Sequence, residues 1–305
     1  MSGREPMPEV VVVGGAARDI TTDDPRGWRL GGGVTYGAFA LARMGVRTGV
    51  ILGLDPEARD AHEIGLLEAA GAEVIRVPLD HGPVFHNEER PTGRVQTCLS
   101  TSDPVPVDAL PAAWRRAPAW LLAPVANEVP DAWAEVPSAR AIVAFGWQGI
   151  LRHLFSGERV WPLDPGPSPL LTRADLVGVS RHDLPHGLPI PDVGRWLGSP
   201  CDLLLTAGPL GGLLLRFRHG RIAGGRRWPG LPIHAELDAT GAGDTMLAGV
   251  LAARVAAARE VDTGRDLRLG ALASSLVVEA AGLEAAPTGA AIRARDRLLR
   301  SGGRP

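Results

Sequence analysis

Short apolar runs alternate with longer helical stretches along most of this chain. The first run is four valines, Val10–Val13, followed by a pair of glycines, which is typical of a buried parallel strand. The next stretch, Val34–Met44, has helical character and is followed by Gly45, a common helix stop. Further strands are predicted at Val46–Gly53, Glu73–Val77, Trp120–Ala123, Ala141–Phe145, Asp175–Val179 and Asp202–Ala207. Further helices are predicted at Glu57–Ala70, Ala242–Arg259, Arg265–Ala281 and Ala290–Leu299. This alternation predicts an α/β fold with a mainly parallel sheet.

Two segments interrupt the alternation. Thr21–Leu30 is polar and rich in turn residues, and Val84–Ser100 has two extended pieces around Pro91-Thr92-Gly93. Because neither segment has the helical pattern of a crossover, we expect a small β-lid outside the main sheet, built from residues about 20–33 and 82–102. Short lid strands leave sheet edges exposed, which favours a homodimer formed through the lid.

Nothing in the chain separates it into independent parts. It contains no internal repeat, charge block or low-complexity linker, so we expect one domain over residues 1–305. Leu213–Arg218 and Arg221–Arg227 flank His219-Gly220 and are predicted to form a hairpin.

Composition limits the partners of the chain. Its formal net charge is -2, so no broad electrostatic attraction to nucleic acid or to an anionic membrane is expected. No apolar stretch reaches the roughly 18 residues of a membrane helix, and no signal-peptide run precedes Val10. Cys98 and Cys201 are too few for a disulfide framework and lack metal-ligand spacing. We therefore expect a cytoplasmic protein that acts on small molecules.

The basic residues narrow the chemistry further, because all 32 of them are arginines. A chain without lysine has no G-x-x-x-x-G-K-[ST] phosphate loop, no protein-kinase lysine and no Schiff-base lysine. Any nucleotide phosphate bound here must therefore be held by backbone amides and arginine.

One segment combines the features needed for phosphate chemistry, namely Asp238-Ala239-Thr240-Gly241-Ala242-Gly243-Asp244 and the helix-forming residues after it. Glycines permit a tight turn and close approach of a ligand, while free N–H groups at a helix start attract phosphate. Asp244 would then lie in the first turn, where it could accept a hydroxyl proton during phosphoryl transfer. The residues alone fit an ordinary loop-to-helix junction equally well, in which Asp244 stabilises the helix by interacting with its dipole.

A family resemblance decides between these interpretations. The segment is similar to the C-terminal signature of ribokinase-like (PfkB) carbohydrate kinases, D-[TS]-[TV]-G-A-G-D, with alanine at its second position. The resemblance implies a three-layer α/β/α fold with a small β-lid, and ATP and Mg2+ as cofactors. It also implies an anion hole at Gly241, Ala242 and Gly243, with Asp244 as the catalytic base.

Other segments match the same family in order. Gly31–Ala38 followed by Leu41–Gly45 resembles its N-terminal glycine signature, and Thr206–Gly211 resembles its T-x-G-x-x-G nucleotide segment. The resemblance implies that the acceptor is bound by Asp19, Gly32, Gly33 and Tyr36. It implies that the nucleotide is bound by Thr206, Gly208, Gly211 and Ser180.

The chain also departs from the family pattern. Tyr36, its single tyrosine, replaces an asparagine that contacts substrate; it could stack on the acceptor or pack within its helix. Ser180-Arg181-His182-Asp183 replaces N-x-x-E, so Asp183 keeps a carboxylate for indirect, water-mediated handling of magnesium. Gln148–Arg152 resembles the Q-G-x-x-R of inositol-kinase-like members, which shifts the expected acceptor towards a cyclitol or related polyol.

The sequence therefore predicts a kinase that transfers the γ-phosphoryl group of ATP to a hydroxyl of a small polyol, cyclitol or sugar. The alternatives are a nucleoside kinase of the same fold and a catalytically weakened ligand-binding or regulatory protein, the latter motivated by the altered Ser180–Asp183 segment. A dinucleotide-binding oxidoreductase is disfavoured because the glycines after Val13 do not form G-x-G-x-x-G.

Overall fold

The computed structural model describes residues 7–90, 93–258 and 261–305. Its strands are β1 (Val10–Gly15), β2 (Ala17–Ile20), β3 (Trp28–Gly31), β4 (Thr48–Leu54), β5 (Glu73–Pro78), β6 (Val84–Arg90), β7 (Gly93–Ser100), β8 (Ala119–Leu122), β9 (Ile142–Gly146), β10 (Arg152–His153), β11 (Glu158–Arg159), β12 (Trp161–Pro162), β13 (Leu176–Ser180), β14 (Cys201–Thr206), β15 (Gly212–Arg218) and β16 (Arg221–Trp228). Its α-helices are α1 (Gly33–Arg43), α2 (His62–Ala69), α3 (Pro169–Arg173), α4 (Ala242–Ala256), α5 (Thr263–Val277) and α6 (Gly289–Arg300).

The main sheet is mostly parallel, as the strand–helix alternation predicts. Among the described residues it has nine strands in the order β16-β15-β14-β13-β9-β8-β1-β4-β5. The strands from β14 to β5 are parallel, and the β15–β16 hairpin adds the antiparallel edge. Parallel strands place their carboxyl ends at one edge of the sheet, where ligands bind in open α/β folds.

Apolar residues fill both faces of the sheet, which explains the unbroken valine run. In β1, Val10 and Val12 join a core cluster with α1, α2, α4 and α5, whereas Val11 and Val13 join a second cluster on the other face. That second cluster contains buried Trp120 and is covered by short helical turns and α3. Side chains of a strand alternate between faces, so a strand buried on both sides needs apolar residues at every position.

The predicted lid forms a separate five-stranded sheet with the order β11-β7-β6-β2-β3. The two predicted extended pieces are strands β6 and β7, which pair antiparallel; Pro91 and Thr92 between them lie outside the described residues. The sheet also includes residues outside the predicted lid segments of about 20–33 and 82–102, because β2 begins at Ala17 and β11 (Glu158–Arg159) pairs with β7. A two-residue strand far along the chain carries no periodic signal of its own.

The predicted helix Glu57–Ala70 was too long at its start, since α2 begins at His62. Residues 56–60 form a turn instead, in which the amide of Ala58 donates to Oδ1 of Asp55. The predicted helix Arg265–Ala281 begins earlier and ends at Val277, because Asp262 accepts from the amides of Gly264 and Arg265 and so caps α5.

The other predicted strands and helices are confirmed with small shifts of their ends. The predicted end at Arg259 falls outside the described residues; the helix that leads to it ends at Ala256. No helix in the described ranges has the length and apolarity required to span a bilayer.

Candidate active site

The predicted site residues cluster at the carboxyl edge of the main sheet. Ser180 and Thr206 end β13 and β14 as direct register partners. Gly33 begins α1 close to the end of β8, because a Cβ on Gly33 would lie 3.4 Å from the carbonyl oxygen of Ala123. Asp244 lies in the first turn of α4, next to Gly33.

The turn before α4 has the geometry required of an anion-binding helix start. Gly241 has φ 77°, in the left-handed region that favours glycine, and a Cβ there would overlap the ring of Tyr36. Oδ1 of Asp238 accepts from the amide of Thr240 at 2.9 Å and stabilises the turn. Amides in the first turn of a helix have no intrahelical partner, so those of Gly243 and Asp244 are available to an anion.

Asp244 lies against Gly33, the last residue of the glycine run Gly31–Gly33; the segment Gly31–Ala38 that begins with this run, predicted to bind the acceptor, is called the acceptor segment here. A Cβ on Gly33 would lie 2.9 Å from Oδ1 of Asp244, so only glycine keeps this approach open. Burial raises the pKa of the Asp244 carboxyl to about 6, while Arg152 lowers it and Asp183 raises it. A carboxylate with this pKa is ionised at neutral pH and still basic enough to take a proton.

Tyr36 lies between the glycine run and the turn before α4. It is 3% exposed, and its ring packs against Gly241. Burial raises the pKa of its hydroxyl, and so do the charges of Asp238, Asp19 and Asp244. These contacts give Tyr36 a packing role beside the site; direct stacking on an acceptor stays a prediction.

Asp19, on the lid strand β2, is joined to the lid strands β6 and β7 by a chain of side-chain hydrogen bonds. Asn87 on β6 donates from Nδ2 to Oδ1 of Asp19 at 3.3 Å, and Gln96 on β7 donates from Nε2 to Oδ1 of Asn87 at 2.8 Å. The other oxygen of Asp19 lies over Gly31, where a side chain would collide with it. Asn87 and Gln96 are absent from the sequence-based site, because only the pairing of β2 with β6 brings them to Asp19.

Arg152 places a positive charge near the carboxylates of Asp183, Asp244 and Asp19. Its guanidinium packs over the ring of Phe85 and donates from Nη1 to the carbonyl oxygen of Val125 at 3.3 Å. Burial lowers its pKa, while the charges of Asp183, Asp244, Asp19 and Glu128 oppose the change, in that order. Nearby, Gln148 donates from Nε2 to Oδ1 of Asp183 at 3.2 Å. The sequence motif identified Gln148 and Arg152, but not their convergence on Asp183 and Asp244.

The predicted nucleotide segment forms a tight loop after β14. Gly208 and Gly211 have φ 54° and 84°, and a side chain on Gly211 would collide with the backbone at Trp228 and Pro229. Thr206 donates from Oγ1 to the carbonyl oxygen of Val179 at 3.5 Å. Ser180, on the neighbouring strand, accepts from the amide of His182 and caps a short turn.

The site offers limited protein ligation for a divalent cation. In the described residues there is no group of three His, Cys, Asp or Glu side chains that could hold a metal ion. Mg2+ usually keeps several waters and binds through one or two carboxylates together with substrate phosphates. Asp183, half-buried and beside Gln148, fits an indirect role of this kind.

No protein-family model and no curated protein sequence matches this chain. Solved structures do match it. One is a pyrophosphate-dependent kinase in the ribokinase family complexed with a pyrophosphate analog and myo-inositol (19% identity, 93% of this chain, 99% of the other, TM-score 0.72). Another is Arabidopsis thaliana ribokinase complexed with ribose and ATP (18% identity, 95% and 99%, TM-score 0.67). A third is a nucleoside kinase of Methanocaldococcus jannaschii (16% identity, 95% and 99%, TM-score 0.64).

These structures align with this chain over nearly its whole length, although few of the aligned residues are identical. At this level of identity the comparison establishes the architecture. The chain therefore has the ribokinase-like fold, and its structural neighbours are kinases of the ribokinase family, inositol kinases included.

Proposed function

We propose that this protein is a kinase that transfers the γ-phosphoryl group of ATP to a hydroxyl of a small polyol, cyclitol or sugar. Asp244 accepts the proton from that hydroxyl, and the amides of Gly243 and Asp244 hold the charge on the transferred group. The amide of Ala242, which the sequence also assigned to the anion hole, instead donates to the carbonyl oxygen of Ala239 at 3.2 Å. The transfer is direct and in line, without a phosphoenzyme.

The observation that carries the proposal is the contact between Asp244 and Gly33. It puts a carboxylate with a pKa of about 6 at the start of α4 and beside the glycines of the acceptor segment. A general base must lie within hydrogen-bonding distance of the hydroxyl and must be ionised at working pH. Asp244 meets the second condition, and its place beside Gly33 supports the first.

The acceptor class follows from the polar groups around Asp244. Asp19, Asn87, Gln148 and Arg152 offer hydrogen-bond donors and acceptors from several directions, as a polyhydroxylated ring requires. Tyr36 places one aromatic hydroxyl near this region. The complex of a structural neighbour with myo-inositol supports a cyclitol.

The donor is bound at the loop of Thr206, Gly208 and Gly211, with Ser180 beside it. Neighbours in complex with ATP and ADP support this choice, and neighbours that use pyrophosphate make the donor a point to test. Mg2+ bound near Asp183 would neutralise charge on the donor phosphates. We place the reaction in the cytoplasm, where ATP is available.

We further propose that residues 1–305 act as one domain whose lid excludes water from the acceptor and pairs two copies as a homodimer. Leu99, Phe155 and Trp161 support the pairing, since each is an apolar side chain about half exposed on or beside the lid strands.

A two-way screen tests the proposal. Inositols, pentoses, hexoses and nucleosides are each incubated with MgATP or magnesium pyrophosphate, and the phosphorylated product is identified by mass spectrometry. We expect a cyclitol or related polyol to be phosphorylated from ATP. A nucleoside as the only acceptor would identify the protein as a nucleoside kinase, and tight acceptor binding without product would identify a ligand-binding protein.

Asp244→Asn tests the role of the base. Turnover should fall by roughly 10²–10⁴, the usual contribution of a positioned general base, with the fold intact. Asp262→Asn is the matched control, because Asp262 also stands at a helix start but only caps α5. Wild-type turnover in Asp244→Asn, or an equal loss in both variants, would remove Asp244 from this role.

A further inference from the structure

Glu128 is a fully buried carboxylate that follows β8 and has no part in the transfer described above. Its side chain accepts from backbone amides: that of Gly15 at 2.9 Å, that of Ala126 at 2.7 Å, and that of Val125 at 3.0 and 3.1 Å to its two oxygens. Burial raises its pKa, and these amide hydrogen bonds lower it. Burying a carboxylate costs free energy of folding, so a role for the turn that Glu128 organises would explain why the residue is there.

That turn, residues 123–128, lies along one side of the site. Its first residue, Ala123, donates to the carbonyl oxygen of Val13 and approaches Gly33 closely. Asn127 has φ 60°, in the left-handed region that asparagine adopts more readily than most other residues with a side chain. Glu128 therefore fixes the turn to the end of β1, and the turn places Ala123 beside the start of α1.

The turn also binds Arg152, the one cation in the described part of the chain that lowers the pKa of the Asp244 carboxyl. The carbonyl oxygen of Val125 accepts from Nη1 of Arg152 at 3.3 Å, and the amide of the same residue donates to Glu128. The amide and the carbonyl group of one residue, Val125, thus connect Glu128 to Arg152.

We propose that Glu128 is a positioning residue of the transfer site, acting through the 123–128 turn to hold the Arg152 guanidinium beside Asp244 and the acceptor. The inference rests on the proposed function. It assigns to Glu128 an effect on transfer that passes through Arg152 and is distinct from its effect on folding.

A double-mutant cycle with Glu128→Gln and Arg152→Met tests this. Glutamine keeps the size of the side chain but replaces one acceptor oxygen with a donor that faces the amides of the turn. We expect Glu128→Gln to lower kcat/KM for the acceptor about 10–100-fold, as misplacement of a substrate-positioning group does, with KM for the donor unchanged. In the Arg152→Met background the same change should have less than about a twofold effect.

Asp202→Asn is the matched control, because Asp202 is also a buried carboxylate and holds Arg216 and Arg254 at the opposite edge of the sheet. Glu128→Asp keeps the charge on a shorter side chain and should retain more activity than Glu128→Gln. If Glu128→Gln does not fold, Glu128→Asp takes its place in the double-mutant cycle. Effects of Glu128 and Arg152 that multiply, or a Glu128 variant that loses stability but keeps kcat/KM, would overturn the inference. A wild-type protein that phosphorylates nothing in the screen would instead overturn the proposed function.

Discussion

At the scale of single residues, the ionisation of Asp244 is set by opposing neighbours. Burial raises its pKa to about 6, Asp183 adds to the rise and Arg152 opposes it. Tyr36 also faces this group, but its own pKa is raised and it stays neutral. The base is therefore ionised near neutral pH because Arg152 partly offsets the cost of burial.

This balance predicts a pH dependence. The acid limb of kcat/KM should lie near pH 6, since the reaction needs Asp244 without its proton. Arg152→Met removes the group that lowers the pKa of Asp244, so the limb should move to higher pH by roughly one unit. Arg195→Met, at an exposed arginine paired with Asp192, should leave the limb in place. An unmoved limb in Arg152→Met would mean that another group titrates.

Residues were predictable from the sequence where the chemistry is local. The glycines and Asp244 lie within a few positions of one another, so their spacing showed both the turn and the helix start. Glu128 and Asn87 gave no such signal. Each acts on a group brought close by the fold, as Glu128 does on Gly15, 113 positions away.

At the scale of elements, the two halves of the lid are held differently. The β2–β3 hairpin is fixed to α2, because Arg26 pairs with both Asp24 and the buried Glu63, and Glu63 also accepts from the amide of Leu30. Strands β6 and β7 meet the acceptor side through Asn87 and Gln96. The second half is therefore the part placed to respond to an acceptor.

Hydrogen exchange with and without acceptor tests this. Amides in the described parts of Val84–Ser100 should gain protection when an acceptor binds, because the lid closes over it to exclude water. Helix α6, far from the lid, serves as the internal reference. Equal gains in both places would contradict a lid and leave the shielding of the acceptor without an explanation.

Element types followed from the hydrophobic pattern, whereas some boundaries depended on distant contacts. Helix α2 starts late because Asp55 organises the preceding turn, and Arg18 donates from Nε to Oδ2 of Asp55 at 2.8 Å. Arg18 belongs to the lid strand β2, so no local pattern could reveal that the turn replaces a helical start.

At the scale of the whole molecule, a buried ionic network lies at the edge of the sheet opposite the site. Arg254, at the end of α4, pairs with Asp202 at 2.6 Å and with Asp266 at 3.4 Å, and Asp202 also pairs with Arg216. Burial raises the pKa of Asp266, and Arg254 opposes this rise. The network joins β14, β15, α4 and α5 near the amino end of β14.

Arg254→Met should therefore separate stability from catalysis. Removing Arg254 takes away the buried partner that Asp202 and Asp266 share and leaves them only the more exposed Arg216 and Arg265, so the free energy of unfolding should fall by up to about 3–5 kcal/mol. Urea denaturation measures this change, and kcat/KM below the unfolding transition should stay within about twofold of wild type. Arg300→Met, which removes an exposed pair with Asp296, should cost less than about 1 kcal/mol. A loss of turnover in folded Arg254→Met would show that the two ends of the sheet are coupled.

The contact of Tyr36 with Gly241 constrains how this protein could evolve. Under the proposed function, a smaller side chain at position 36 would open space for the acceptor but remove the packing that supports the turn assigned to the transferred charge. A change of acceptor by that route would come with a loss of rate, so selection would retain the tyrosine. Asn87 on β6 donates to Asp19, and Gln96 on β7 donates to Asn87. Substitutions on these two strands can therefore change the choice of acceptor without altering the packing of Tyr36 on the turn.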